Sequence, residues 1–324
     1  MKSVKATVII HPNIPDRTTV DDRMRFLHFL ERNLRDSFGE TGIEYSRIQI
    51  VKQQIIVETH AVENIMKMAS NVFGVVAVSV GEEIDADTNI HSASIIRGIG
   101  GLPTGYEGRV VCMISSGLDS PVASFKAMRR GCVPIFVYFD NSPFSDDSNK
   151  KIAIEQAKRL SQYIHGSEVK MYIVPHGEDL VEVLKHAPRR MTCIFCRRNM
   201  YRLAQEVAIR EEANAIITGE IIGEQASQTT SNLFAENSAV DKIPIIRPCI
   251  GDDKDEIVKK AREIGTYHFA EEAASCCSLP PKFPTINART SEIPVVEEKI
   301  REGWVKYAVD DAEIIILKEE FKTG

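Results

Sequence analysis

The middle of the chain, residues 109–265, alternates apolar strand-like segments with segments of helical apolar spacing. Val133–Phe139, for example, is a continuous apolar run, and Asn149–Tyr163 after it has apolar residues at helical intervals. Repeated β-α units of this kind fold into a parallel sheet with helices on both faces. The sequence therefore predicts an α/β fold with a doubly wound parallel sheet, in which a ligand binds at the carboxyl ends of the strands.

The residues before this region follow another pattern. Residues 1–85 have a β-α-β-α-β order, with a helix over Val20–Phe38 and one β region over Arg47–Glu58, which is typical of a small α+β ferredoxin-like unit. Glycines crowd the end of residues 86–108 and indicate a linker. We therefore expect an N-terminal domain at 1–85, a Gly-rich linker at 86–108, the α/β domain at 109–290 and a C-terminal extension at 291–324. Within that extension, Pro294–Phe321 predicts a helix, a strand and a further helical turn.

Composition and charge exclude several classes of protein. The 324 residues are 43% hydrophobic and 27% charged, which is typical of a globular protein and excludes an intrinsically disordered chain. No apolar run reaches the ~18 residues that span a membrane, and no secretion signal is evident, so we expect a cytoplasmic protein with no membrane partner. The net charge of −6 argues against a protein that coats nucleic acid through bulk charge. Residues 185–210 nevertheless hold seven basic residues and one acidic residue, and would suit a polyanion.

The segment Val111–Ser120, VCMISSGLDS, runs from an apolar strand through small residues into a helix. Small residues let the backbone approach an anion, and a helix N-terminus supplies N–H donors and partial positive charge. Ser115, Ser116 and Ser120 add hydroxyl donors, and Asp119 could hold Mg²⁺ or orient the loop. The segment matches neither the Walker A pattern nor the dinucleotide fingerprint. An ordinary capped helix start would use the same residue types, so spacing alone leaves both interpretations open.

This loop, SSGLDS at 115–120, resembles the SGGxDS signature of the PP-loop ATP pyrophosphatases, which adenylate a substrate and release pyrophosphate. Other segments resemble the tRNA 4-thiouridine synthetases of the ThiI type. These are GIGGLPTGYEGRVVCMISSGLDS at 98–120, AMRRGC at 127–132, TGEIIGEQASQT at 218–229, IRPCIGDDKDEI at 246–257, and 266–288, ending in SCCSLPPKFPTINA. DDRMRFLHFLERNLRDSF at 21–38 resembles the ferredoxin-like domain of that family, so the resemblance covers nearly the whole chain.

Three features depart from the family pattern. Fewer than twenty residues separate Val80 from the Gly-rich stretch, so we expect the chain to lack the RNA-binding THUMP domain that usually lies there. We also expect it to lack the C-terminal rhodanese domain of some bacterial members. Ser116 stands where the signature has Gly, and since serine still permits a tight loop, we expect ATP binding to survive.

The resemblance implies an ATP-dependent tRNA sulfurtransferase that adenylates a tRNA uridine and replaces its O4 with sulfur, giving 4-thiouridine. It implies ATP and Mg²⁺ as cofactors, tRNA as partner, and sulfide or a persulfide as sulfur donor; a homodimer would add contact area for the RNA. The implied catalytic residues are Asp119, Lys254 and Cys277. The implied nucleotide-binding residues are Met113, Ile114, Ser115, Gly117, Ser120, Tyr138, Phe139, Arg197, Gly219 and Gln228.

Four of the seven cysteines are grouped, as a C-x-x-C at Cys193 and Cys196 and a pair at Cys276 and Cys277. Two thiolates in a C-x-x-C can hold a metal or cluster, and a third from Cys277, or from Cys276 in its place, would give three ligands. Resemblance to archaeal members implies a [4Fe-4S] cluster whose open iron carries a hydrosulfide. A structural zinc site is the second interpretation, and a dithiol relay is the third.

Two other functions remain open from the sequence. One is a PP-loop enzyme that adenylates a different substrate, such as another nucleobase, a carboxylate or an amide. The other is a non-catalytic RNA-binding protein with a structural zinc. Formation of AMP would distinguish the adenylating enzyme from the non-catalytic RNA-binding protein. Dependence of AMP formation on tRNA would distinguish the sulfurtransferase from an enzyme that adenylates a different substrate.

Overall fold

The computed structural model describes residues 6–15, 19–81, 95–271, 273, 277–300 and 308–319. The N-terminal part is a five-stranded antiparallel sheet in the order β2-β3-β1-β4-β5, packed on two helices. Its elements are β1 (Ala6–Pro12), α1 (Val20–Glu40), β2 (Arg47–Val51), β3 (Gln54–Thr59), α2 (Val62–Ser70), β4 (Val75–Gly81) and β5 (Ile95–Arg97). Buried Phe26, Leu30 and Leu34 on α1 pack on Val8 and Ile10 of β1 in one hydrophobic core.

The single β region expected over Arg47–Glu58 is a hairpin of two strands. Lys52 and Gln53 form its tight turn with φ of 46° and 70°, so two non-glycine residues adopt the left-handed backbone of a two-residue turn. β5 lies inside the stretch that the sequence predicts to be a linker, and it pairs with β4 at the edge of the sheet.

The second sheet has six strands in the order β10-β9-β6-β7-β8-β11. Its strands are β6 (Arg109–Met113), β7 (Val133–Asp140), β8 (Val169–Pro175), β9 (Ile216–Ile217), β10 (Ile245–Ile246) and β11 (Glu313–Lys318). The first five are mutually parallel, and β11 joins β8 antiparallel at the edge. The predicted doubly wound parallel sheet, preceded by a small α+β unit, is therefore confirmed.

Helices cover both faces of this sheet. They are α3 (Asp119–Met128), α4 (Asp147–Ser161), α5 (Gly177–His186), α6 (Thr192–Arg210), α7 (Thr230–Asn237), α8 (Lys254–Ile264), α9 (Tyr267–Ala270) and α10 (Ile293–Ile300). One core packs α3, α4 and α8 on one face, and another packs α6 on the opposite face. The helical turn expected near Phe321 falls outside the described residues. None of the helices in the described part of the chain is long and apolar enough to cross a membrane.

The strand order places a ligand site between β6 and β9. From β6 the chain moves outward through β7 and β8, and then returns to add β9 and β10 on the other side of β6. Loops after β6 and β9 therefore diverge to opposite faces and leave a crevice at their carboxyl ends. The serine-rich loop Ile114–Leu118 follows β6 directly, at this crevice.

The two sheets are joined by a half-buried carboxylate at the end of α1. Glu40 accepts hydrogen bonds from His165 Nδ1 at 2.7 Å, Lys318 Nζ at 2.8 Å and the backbone N–H of Gly166 at 3.2 Å. Burial alone would raise the pKa of Glu40, but the bonds from His165 and Lys318 outweigh it and hold the pKa at about 2, below its ordinary 4.5. The charged form of Glu40 therefore stabilises the contact between the two sheets.

Replacement of Glu40 is expected to change how the free energy of unfolding depends on pH in acid. Because the folded-state pKa is depressed, the contribution of Glu40 is present above pH ~4.5 and is lost as the pH falls towards 2. Glu40→Gln is expected to lower the free energy of unfolding at pH 7 by about 1–3 kcal/mol and to flatten its decline between pH 5 and 2. Chemical denaturation over that pH range measures both effects, with exposed Glu44→Gln as control. Parallel pH curves for wild type and Glu40→Gln would contradict this assignment.

Candidate active site

The loop after β6 folds on its own hydroxyl groups. The backbone N–H of Ser115 donates to Ser120 Oγ at 2.9 Å, the two seryl Oγ atoms lie 2.9 Å apart, and the N–H of Gly117 donates to Ser115 Oγ at 3.3 Å. Among the described side chains none caps the start of α3, where Leu118 holds the cap position. The serines therefore shape the loop and do not serve as ordinary helix caps. The loop and the N-terminus of α3 together form a cradle suited to an anion.

A buried glutamine on α4 supports this loop from below. Gln156 is fully buried, and its Nε2 donates to the carbonyl of Ser116 at 3.0 Å and of Ser115 at 3.4 Å. These bonds fix the carbonyl groups away from the cradle. Ser116 is itself buried, so the extra side chain that this position carries is accommodated within the fold. Nothing in the local sequence pattern around Gln156 marks it as a residue of the site.

Gly219, just after β9, closes the loop from the other side. A Cβ at this position would lie 2.7 Å from the backbone N of Ser120 and 2.8 Å from the backbone C of Asp119. Both are closer than real Cβ contacts, so any side chain would displace the start of α3. Gly219 is thus required by the close approach of two backbone segments, at the position that the sequence assigned to nucleotide binding.

A lysine and two carboxylates border the loop. Lys254, the first residue of α8, lies 2.8 Å from Asp119 Oδ1 and 3.3 Å from Glu224 Oε1. A capping box between Asp253 and Glu256 fixes the start of this helix and so the position of the lysine. Partial burial lowers the pKa of Lys254, but Asp119 and Glu224 outweigh burial and raise its pKa. Lys254 is therefore a cation at neutral pH, placed at the entrance to the cradle.

The wall opposite the loop contains a buried charge network around Glu220. Its Oε1 accepts from Arg197 Nη1 and from the Tyr201 hydroxyl, each at 2.5 Å, and its Oε2 accepts from Arg247 Nε at 3.0 Å and from the Thr218 hydroxyl. Burial raises the pKa of Glu220, but the two guanidinium groups outweigh burial and lower it, so Glu220 is ionised. Glu220 thereby fixes the direction of the Arg197 guanidinium.

A second carboxyl group in this wall is neutral. Glu236 on α7 is fully buried, and burial raises its pKa to about 8, although Arg197 acts in the opposite direction. At pH 7 the wall therefore combines the two cations of Arg197 and Arg247 with the single anion of Glu220. The excess positive charge favours an anionic ligand on this side of the crevice.

A cavity of about 270 Å³ lies between the loop and this wall. Most of the residues that the sequence predicts for nucleotide binding and catalysis line this cavity. Those lining it are Met113, Ile114, Ser115, Asp119, Ser120, Tyr138, Phe139, Arg197, Gly219, Gln228, Cys193, Cys196 and Cys277. Gly117 lies within the loop itself, and Lys254 reaches the cavity through its contact with Asp119. Cys276 falls outside the described residues. Additional lining residues that the sequence did not indicate include Asn141, Leu180, Glu220 and Leu279.

The C-x-x-C lies on the first turn of a helix. The sequence pattern predicts a helix over Met200–Glu211 alone, but α6 begins at Thr192, so Cys193 and Cys196 lie one turn apart on one face. Cys277 lines the same cavity, beside Leu279. The three thiols fit an iron–sulfur or zinc site in chemistry and location. The described residues contain no group of three or more His, Cys, Asp or Glu side chains placed to hold one metal ion.

A loop of small residues at the switch point of a doubly wound sheet defines an α/β protein with a site for an anionic ligand. Residues 105–301 match the family described as thiamine biosynthesis protein (ThiI), and the chain belongs to this family.

Relatives in this family carry the name "probable tRNA sulfurtransferase". The protein of Methanosarcina mazei is 38% identical over 223 residues, which cover 68% of this chain and 55% of the relative. The protein of Methanocaldococcus jannaschii is 40% identical over 207 residues, which cover 63% and 53%. The chain thus spans about half the length of these relatives.

Solved structures share the fold. A 4-thiouridine synthetase in complex with RNA and bound ATP aligns over 97% of this chain and 100% of its own, with a TM-score of 0.87 and 22% identity. PH1313 from Pyrococcus horikoshii aligns over 80% of this chain and 99% of its own, with a TM-score of 0.55 and 18% identity. The first of these likenesses extends over both sheets of the chain.

Proposed function

We propose that this chain is an ATP-dependent tRNA sulfurtransferase that converts a uridine to 4-thiouridine. The observation that carries the proposal is the shared cavity, which is lined by the serine-rich loop, by Asp119 with its Lys254 partner, and by three thiols. Activation of a carbonyl oxygen and delivery of sulfur act on the same carbon, so both sets of groups must reach one place. The names of the relatives and of the similar RNA complex with ATP support this choice.

In this proposal ATP lies across the carboxyl ends of β6 and β7. Met113, Ile114, Tyr138 and Phe139 border the adenosine. The phosphates lie against Ser115, Gly117, Ser120 and the N-terminus of α3, with Gly219, Gln228 and Arg197 on the opposite side. Asp119 is the carboxylate that would hold Mg²⁺, which would neutralise phosphate charge.

The first step adenylates the uridine. The uracil O4 attacks the α-phosphorus of ATP, the bond from that phosphorus to the pyrophosphate oxygen breaks, and the N3 proton is released to solvent. Negative charge grows on the leaving pyrophosphate. Lys254, now paired with Asp119 and Glu224, is positioned to turn to this charge, and Arg197 offers a second cation.

The second step replaces oxygen by sulfur. A sulfur nucleophile attacks C4 of the adenylated uracil, the C4–O4 bond breaks, and AMP leaves with the former O4. Cys193, Cys196 and Cys277 would hold a [4Fe-4S] cluster, which supplies an open iron for a hydrosulfide when bound. With a persulfide donor instead, the outer sulfur of the persulfide would attack C4, and the Cys277 thiolate would then attack the inner sulfur. The S–S bond would break, 4-thiouridine would leave, and the donor and Cys277 would be joined by a disulfide that an external thiol reduces. In either case the sulfur nucleophile must reach the activated C4 before water does, because attack by water would restore uridine.

The proposal is tested by AMP formation from ATP with an unmodified tRNA transcript. We expect AMP and pyrophosphate to form only when tRNA is present. Adenylation that is indifferent to tRNA would contradict the proposed substrate and indicate a PP-loop enzyme with another acceptor. Stoichiometric zinc without any AMP would contradict an enzymatic function altogether.

We expect that loss of the Glu220 charge weakens the binding of ATP. In Glu220→Gln the partly buried Arg197 and Arg247 lose their buried anion, so we expect the free energy of unfolding to fall by about 3 kcal/mol. Arg197 also loses its fixed direction, and we expect the KM for ATP to rise about tenfold. Denaturation and ATP titration below the unfolding temperature measure these effects, with exposed Glu212→Gln as control. An unchanged KM for ATP in folded Glu220→Gln would contradict a positioning role.

A further inference from the structure

The segment 277–288, which we name the strap, forms one edge of the cavity and is fixed to three elements. The N–H of Ser278 donates to the carbonyl of Phe144 at 2.8 Å, and the N–H of Thr285 donates to the carbonyl of Arg190 at 2.9 Å. Asn232 on α7 holds the far end, since its side chain bonds the carbonyl of Thr285 and the N–H of Ala288, each at 2.9 Å. Cys277 and Leu279 at the near end line the cavity. The strap is thus a fixed rim of the site.

This fixed rim presents apolar side chains to solvent. Phe283 is 78% exposed and Ile286 is 64% exposed, although the backbone beside them is anchored. Lys282 Nζ lies 5.6 Å from the centre of the Phe283 ring, within the range of a cation–π contact. A large apolar side chain in water is unfavourable, and its display next to a ligand cavity indicates a binding surface.

The charge around the strap is positive in a chain that is acidic overall. Within residues 277–291 the charged residues are Lys282 and Arg289, both exposed, and the net charge of the whole chain is −6. The strap rests on the short 3₁₀ turn Arg189–Met191, which adds exposed Arg189 and Arg190. Arg190 lies 3.4 Å from Glu292 in an exposed ion pair, so the cations around the strap still outnumber this one acid. An aromatic face flanked by cations is the arrangement that binds single-stranded nucleic acid, because every base can stack and every linkage carries a phosphate.

We propose that the strap binds the RNA strand beside the reacting uridine, with Phe283 stacked on a neighbouring base and with Lys282 and Arg190 near its phosphates. This inference rests on the proposed function, since it takes RNA to be the molecule whose base enters the cavity. A base that enters an enclosed site must leave its own stack, and a stacking partner at the rim compensates the unstacked neighbour. The surface acts on RNA binding and not on ATP.

The test is direct binding of an unmodified tRNA transcript to the full chain, measured together with the KM for ATP. Phe283→Ala is expected to raise the Kd for tRNA about tenfold, and Phe283→Trp to restore it, while the KM for ATP stays unchanged. Lys282→Ala should reduce the dependence of tRNA affinity on salt. Phe234→Ala is the matched control, since Phe234 is 70% exposed on α7, two positions from Asn232 and so directed away from the strap.

The outcomes separate this inference from the proposed function. Binding that depends on Phe283 without any formation of 4-thiouridine would support the strap and overturn the sulfurtransferase. An unchanged Kd for tRNA in Phe283→Ala, or no binding of tRNA by wild type, would overturn the strap. Competition by a single-stranded oligouridine is expected; equal competition by polyglutamate, unaffected by Phe283→Ala, would indicate a surface for acidic protein segments and contradict the inference.

Discussion

Lys254→Ala is expected to lower the rate of AMP formation by at least about 100-fold. The lysine is the cation that faces Asp119 at the entrance to the phosphate cradle, and its pKa is raised by Asp119 and Glu224 despite partial burial. Removal of one preorganised charge that acts on a leaving group commonly slows a reaction by this factor. The loss should appear mainly in kcat, because charge on the pyrophosphate develops in the transition state.

The measurement is AMP release from ATP in the presence of tRNA, with Lys260→Ala as the matched control. Lys260 lies on the same helix and pairs with Glu263, away from the loop. The control should retain wild-type activity, and Lys254→Arg should retain part of it. A Lys254→Ala enzyme with normal AMP release would show that the Lys254–Asp119 pair is structural.

Cys193→Ala or Cys196→Ala is expected to abolish 4-thiouridine while tRNA-dependent AMP formation continues. Both thiols line the cavity from the first turn of α6, whereas the serine-rich loop lies after β6. In the proposed mechanism, sulfur transfer and adenylation therefore use residues on different walls of the cavity. We expect the yield of 4-thiouridine to fall at least about 100-fold. Continued AMP formation shows in the same sample that the variant is folded.

Cys132→Ala is the control for this experiment. Cys132 does not line the cavity, and burial raises the pKa of its thiol to about 11, so it should be inert. Iron and acid-labile sulfide in anaerobically purified protein should fall together in Cys193→Ala. Zinc in their place, or no metal at all, would overturn the cluster and leave a relay through Cys277. Normal thiolation in both cysteine variants would overturn any role for the C-x-x-C.

The periodicity of apolar residues predicts the fold correctly where the strands and helices are long. The alternation of apolar runs and helical spacing over 109–265 predicts the parallel sheet, because each long element carries its own signal. Short or unusual elements carry little signal. The hairpin at Lys52 and Gln53 lacks the Gly or Asn that normally marks such a turn. The first turn of α6, Thr192–Cys196, has no acidic residue to mark a helix start.

The candidate site is also predicted only in part from the sequence. Its loop and its C-x-x-C are contiguous in sequence, so their residue types are visible together. Gln156 supports the loop from 40 residues away, and Glu220 joins Arg197 to Arg247 across three elements. Contacts of this kind depend on how distant segments pack, and neither residue has a local pattern that predicts its role. The resemblance to the family implies which residues bind the nucleotide, and the packing shows which contacts position those side chains.

The central claim is that one cavity couples adenylation to sulfur transfer on a tRNA uridine. The most direct measurement is the molar ratio of 4-thiouridine to AMP when the anaerobic enzyme acts on an unmodified tRNA transcript with ATP, Mg²⁺ and sulfide. We expect one 4-thiouridine for each AMP, and neither product without tRNA. AMP that forms without any 4-thiouridine, under conditions where the cysteines are intact and reduced, would contradict it.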